Sequence, residues 1–80
     1  MEIPTDLLTW DSKSKTFSVE ASCLRAYALT DAPVLKNPKT GGTRRFRLTR
    51  RERDRENDLV AWHFVSETST PTMRLVIFND

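Results

Sequence analysis

Seven of the nine arginines fall within twelve residues: Arg44, Arg45, Arg47, Arg50, Arg51, Arg53 and Arg55. A guanidinium is a flat fork of donors that matches phosphate oxygens in pairs and stacks on planar rings. A row of such forks suits a polyanion, because each phosphate contact releases bound counterions and adds affinity without reading sequence. Glu52 and Asp54 are the only acids in residues 44–55, so seven positive charges against two leave this segment at +5. Residues 1–43 balance five bases against five acids, and residues 56–80 set Arg74 against four acids for −3. The net charge of +2 therefore hides a dipolar chain. Arg44, Arg45, Arg47, Arg50 and Arg51 are the candidate contacts, and the acid-free stretch 44–47 weighs most among them. Nucleic acid is the leading partner. An acidic protein surface is the second, since arginine anchors many protein interfaces. A third reading needs no partner: the mixed signs of 50–58 suit a solvated face closed by its own ion pairs.

Other chemistry is thin. The single His63 and the single Cys23 lack neighbours in sequence that would make either one a catalytic group or a ligand. A metal site wants several ligands at fixed spacing, and a nucleophile wants a base. His63 reads as a strand histidine with one nitrogen satisfied, and Cys23 as a small buried apolar residue. Glu2, Asp6, Asp11, Glu20, Asp31 and Glu67 are scattered singly. Gly41-Gly42 is the only glycine pair and lacks the phosphate-loop pattern. The expectation is a binding module rather than an enzyme, with no catalytic residues, no metal and no cofactor. Phe46, Trp62 and Phe64 read as core rather than as stacking platforms, and Trp10, beside a turn, as partly exposed.

The elements that must carry these residues are mostly strands. Thr16 to Glu20 alternates polar and apolar and pairs with Leu7 to Trp10 across a turn at Asp11 to Ser14, giving a hairpin over 7–20. Residues 20–29 favour a short helical segment, with Cys23, Leu24, Tyr27 and Ala28 on one face. Pro33 stops it, because the residue before a proline is pushed out of the helical region. Val34-Leu35 reads as a short strand and residues 37–42 as a loop. Residues 44–78 form a three-stranded antiparallel meander. Its first strand has Phe46 and Leu48 on one face and Arg45, Arg47 and Thr49 on the other. Leu59 to Val65, apolar on both faces, is its central strand. Residues 50–57 fit either a two-turn helix capped by Thr49 and Glu52 or a charged hairpin end turning near 54–58. The second is preferred, since the helix would have nothing apolar to bury. Glu67 to Thr72 is a Ser/Thr/Pro connection. Met73 to Phe78 is the last strand, and at a sheet edge it would offer unpaired backbone to a partner strand or a second copy.

The expected fold is mainly β: a small antiparallel barrel or curved sheet of five to six strands with one short helical segment. The core would be Leu8, Phe17, Val19, Leu24, Tyr27, Phe46, Leu48, Val60, Trp62, Phe64, Leu75 and Ile77. Eighty residues make one domain, 1–80, of marginal stability. The longest apolar runs are four residues, so no membrane-spanning segment is present in the sequence. The acidic start is no secretory signal, and one cysteine allows no internal disulfide, so a cytoplasmic monomer or homodimer is expected. The stretches Ile3 to Asp11, Thr16 to Ser22, Asp54 to Leu59 and Val76 to Asp80 resemble short uncharacterised bacterial proteins of similar length. That resemblance implies only a complete chain. The function read from the residues is polyanion binding through an Arg-rich strand and turn, residues 44–55. The alternative is a protein-interaction or inhibitory module using the C-terminal strand edge or the same arginines.

Overall fold

Alternation around Phe46 builds the middle of a sheet, because every second side chain must leave water together. In the computed structural model, which describes residues 2–66 and 72–80, seven strands form that sheet. They are β1 (Glu2–Pro4), β2 (Thr9–Asp11), β3 (Thr16–Glu20), β4 (Val34–Lys36), β5 (Thr43–Arg53), β6 (Leu59–Ser66) and β7 (Arg74–Phe78). Their order is β1-β4-β5-β6-β7-β3-β2. The sheet curls into a half-barrel, so the mainly β reading holds with seven strands in place of five or six. The strand not expected is the three-residue β1, which pairs parallel with β4, Ile3 opposite Leu35, and β4 is the short strand expected at Val34-Leu35. Strands that short leave almost no periodic trace in a sequence.

The meander is present as β5-β6-β7, antiparallel throughout. The N-terminal hairpin is present too, as β2 and β3 with Trp10 opposite Phe17. It starts at Thr9, since Thr5–Leu7 is a 3-10 turn rather than strand. Its far end closes with Asp11 accepting the amide of Lys13 at 3.0 Å and Lys15 in the left-handed region at φ 56°.

Two expectations are corrected. First, β7 is not an edge. It lies between β6 and β3, pairing parallel with β3 from Thr16–Arg74 to Glu20–Phe78. Its backbone is committed on both sides, so it offers no strand to a partner or to a second copy. The edges are β1 and β2. Second, the short helical segment expected in residues 20–29 is present as the 3-10 turn Ala21–Leu24, but Cys23 and Ala28 do not share a buried face with Leu24. This stretch leaves β3 and crosses the concave face toward β4, ending along β5, where the Asp31 and Pro33 carbonyls accept the amides of Leu48 and Phe46. Leu24 anchors it in the core at 1% exposure, while Cys23 and Ala28 stay exposed. Cys23 is thus not the buried apolar residue expected.

The core fills the concave face: Ile3, Val19, Leu24, Leu35, Phe46, Phe64, Leu75 and Ile77, with Leu8, Phe17, Tyr27, Leu48, Trp62 and Met73 packed against it. Ile3 comes from β1, the short strand the sequence hid, and Leu35 from β4 beside it. Val60 is not in this cluster, because the chain bulges there: Glu52 pairs with Ala61 and Arg53 with Leu59, leaving Val60 as the extra residue. The Ser/Thr/Pro connection expected at 67–72 lies, apart from Thr72, outside the described residues. Among the described residues no helix is long and apolar enough to cross a membrane.

Candidate functional site

Strand β5 positions the arginines, and its bulge sorts them. Up to Leu48 the alternation is regular. Phe46 is fully buried and pairs with Ser66, Leu48 pairs with Phe64, and Arg45 and Arg47 point away from the core. At Thr49 the strand takes one extra residue, so that Leu48 faces Phe64 while Arg50 faces His63. The Thr49 hydroxyl donates to the His63 carbonyl at 3.0 Å and pins this bulge. A single inserted residue reverses which side of the sheet each later side chain faces. Arg50 and Glu52 therefore share the convex face with Arg45 and Arg47. Arg51, paired with Trp62, joins the concave side.

The five candidate arginines are consequently divided. Arg45, Arg47 and Arg50 lie on the convex face. Arg51 sits on the concave side, 3.9 Å from Asp31 of the crossing segment. Arg44, opposite Leu35, also faces the concave side and is half-buried. The five do not form one surface.

Their electrostatic states differ as well. Arg50 lies 4.0 Å from the Glu52 carboxylate, which also accepts from His63 Nε2 at 2.8 Å. The Arg53 guanidinium donates to the Asn57 carbonyl at 3.1 Å. Of the tip acids, Asp54 serves the turn. The Asp54 carboxylate accepts the amides of Glu56 and Asp58, both at 3.0 Å, and Asn57 takes the left-handed conformation at φ 66°. The preferred hairpin end over 54–58 is what forms, with no helix. Arg45 and Arg47 are exposed and have no ion pair within 4.0 Å among the described residues. None of Glu52, Asp54, Glu56 and Asp58 reaches them.

Register adds a residue that sequence reasoning missed. Arg47 faces Val65, and Val65 faces Arg74 on β7. Arg47 and Arg74 thus stand on one convex row, two strands and about 10 Å apart, and Arg45 stands about 7 Å from Arg47 along its own strand. All three are exposed, and none of them is paired among the described residues. Arg74 lies far from the arginine run in sequence, and only the pairing of β6 with β7 brings it in. Arg47 and Arg74 flank half-buried Val65 in the register, one on each neighbouring strand. Farther along the strands the face changes sign, with the row Glu52, Ala61, Phe78 and Glu20.

His63 is half-buried on this convex face and its partner is Glu52. The reading of a histidine with one nitrogen satisfied holds, and the partner was missed because the bulge, not the sequence spacing, sets Glu52 beside it. Asp54, Glu56 and Asp58, all exposed, bring carboxylate oxygens within 4.8 Å of one another. The bonds that the Asp54 carboxylate accepts from the Glu56 and Asp58 amides account for it as a turn former. Compared with protein-family models, with curated proteins and with solved structures, the chain matches none of them.

Proposed function

We propose that the chain is a non-enzymatic binding module for a polyanion, nucleic acid foremost, through the convex patch of Arg45, Arg47 and Arg74. The observation that carries this reading is that these guanidiniums are exposed and unpaired among the described residues, whereas Arg50, Arg51 and Arg53 have partners of their own. Unpaired forks on a rigid strand meet phosphates without first breaking an ion pair, so the binding cost is small. Of the residues expected to bind, Arg45 and Arg47 keep that role and Arg50 lies at the margin of the patch. Arg44 and Arg51, on the concave side, do not contribute to it.

Titration of labelled single-stranded and duplex oligonucleotides at two salt concentrations tests this. Binding weakens steeply with salt, and removing one phosphate-binding side chain lowers the slope of log affinity against log salt by about 0.7–0.9. Arg45→Ala, Arg47→Ala and Arg74→Ala each lower it by one such step. Absence of binding at low salt overturns the reading. Binding to an acidic protein but to neither oligonucleotide replaces nucleic acid with the protein partner.

A further inference from the structure

The half-barrel has a seam. Strands β1 and β2 are its two edges, yet only residues 5–8 join them. Four linking residues reach at most about 17 Å, so the edges must curl toward each other. They do not pair, and a cleft of about 430 Å³ opens where the missing wall would stand. That volume lies in the usual range for small-molecule sites, about 300–1,000 Å³.

Three features make it more than an unfilled corner. Its floor is apolar, half-buried Met73 over buried Leu35 and Phe46. One side is aromatic: the Trp10 and Phe17 rings pack with centroids 4.6 Å apart and tilted by 45°, and Trp10 is 40% exposed. The third feature is Arg44, half-buried against the floor with no ion pair among the described residues. A partly desolvated cation beside apolar side chains, with no carboxylate partner, is complementary to an anion that arrives from outside. The β4–β5 loop holds the rim in shape, with Gly41 donating to the Asn37 carbonyl at 2.7 Å and Asn37 to the Gly42 carbonyl at 2.9 Å.

We propose that this seam cleft binds a small planar aromatic molecule carrying one anionic group, with the ring against Trp10 and Phe17 and the anion on Arg44. The anion is a phosphate, as in a nucleoside monophosphate, or a carboxylate. The cleft lies on the opposite side of β5 from Arg45 and Arg47, so it stands or falls separately from the convex patch.

The experiment reads Trp10 fluorescence in a Trp62→Phe background, with AMP, adenosine and benzoate as probes. AMP or benzoate is expected to quench it saturably at millimolar concentration. Arg44→Gln should weaken the binding probe about tenfold, the effect of removing one charge-assisted hydrogen bond. If AMP binds, adenosine should bind about tenfold more weakly for the same reason. Binding of AMP identifies the phosphate source, and binding of benzoate alone the carboxylate. The Arg45→Ala, Arg47→Ala double variant should bind the probe as the parent does, and amide shifts at Gly41 and Gly42 should follow the titration. No saturable quenching by AMP or benzoate overturns the proposal. So does adenosine equal to AMP, an Arg44→Gln variant with unchanged affinity, or loss of binding in the Arg45 and Arg47 variant.

Discussion

Arg45 and Arg47 near the start of β5, and Arg50, Arg51 and Arg53 near its end, are the same side chain on the same strand. The first two face solvent unpaired among the described residues, and the other three are engaged by Glu52, Asp31 and the Asn57 carbonyl. The difference arises from two local facts. The bulge at Thr49 moves Arg51 to the concave side, where its exposed guanidinium lies 3.9 Å from Asp31, and leaves Arg50 beside Glu52. At the base of the strand Phe46 is buried and Leu48 half-buried, and the convex positions there, 45 and 47, are both arginine with no acid beside them. Residue type thus sets the potential for phosphate binding, and register decides which arginines keep it.

The largest test separates the two faces of the base. Phe46 is 0% exposed, and Phe46→Ala removes a whole ring from the centre of the core. Such a change costs about 3–5 kcal/mol, a large part of the stability of a small domain. Arg47→Ala, one residue away and facing the other way, should cost no more than about 0.5 kcal/mol. Chemical denaturation measures both, and equal losses would break the assignment of faces.

Next comes the base against the tip in binding. The Arg45→Ala, Arg47→Ala double variant should lower the salt slope for an oligonucleotide by about 1.4–1.8, two phosphate contacts. The Arg50→Ala, Arg53→Ala double variant should lower it by less than half as much, since those groups are already engaged. Equal decreases in the two variants would remove the contrast between the ends of β5.

How far the sequence disclosed this follows from the range of each interaction. Alternation around Phe46 and the two-faced apolar run of β6 are local signals, and both elements appeared where they were expected. So did the turn at Asp54 to Asp58, whose side-chain chemistry acts over a few residues. What stayed hidden depends on pairing between distant segments. The parallel partnership of β3 with β7 moves β7 inside the sheet and strips it of the edge role. The register of β6 with β7 brings Arg74 level with Arg47, and no spacing within the arginine run signals that. The Thr49 bulge is a one-residue irregularity, concealed by the regular alternation on either side of it. The helical composition of residues 20–29 yields the 3-10 turn Ala21–Leu24, and beyond it the path from β3 to β4 overrides weak propensity.

A smaller effect would move the boundary between base and tip. Glu52 is shared by Arg50 and His63. Glu52→Gln removes that negative charge and frees Arg50 on the same convex face as Arg47. The salt slope should rise by up to about 0.7–0.9, the contribution of one added phosphate contact. Stability should change by less than about 1 kcal/mol, as for exposed ion pairs generally. An unchanged slope would mean that geometry, not neutralisation, keeps the tip out of the binding surface.

The smallest effect lies away from the hairpin and serves as its control. The Asp80 carboxylate accepts the Ser22 hydroxyl and the Ser22 amide, the latter at 2.8 Å, tying the end of the chain to the crossing segment. Those bonds, the hydroxyl first, hold its pKa below the ordinary 3.8. A carboxyl lowered on folding adds stability above its unfolded pKa, and the gain disappears as pH falls through the folded value. Stability should therefore decline on acidification from just above 3.8 downward, and Asp80→Asn should flatten that part of the curve. The tie contacts neither Arg45 and Arg47 nor the tip acids, so at neutral pH Asp80→Asn should leave the oligonucleotide salt slope as it was. A changed slope would show that the crossing segment, which also carries Asp31, transmits its position to the arginines of β5. The contrast between base and tip would then belong to the whole concave face rather than to the bulge alone.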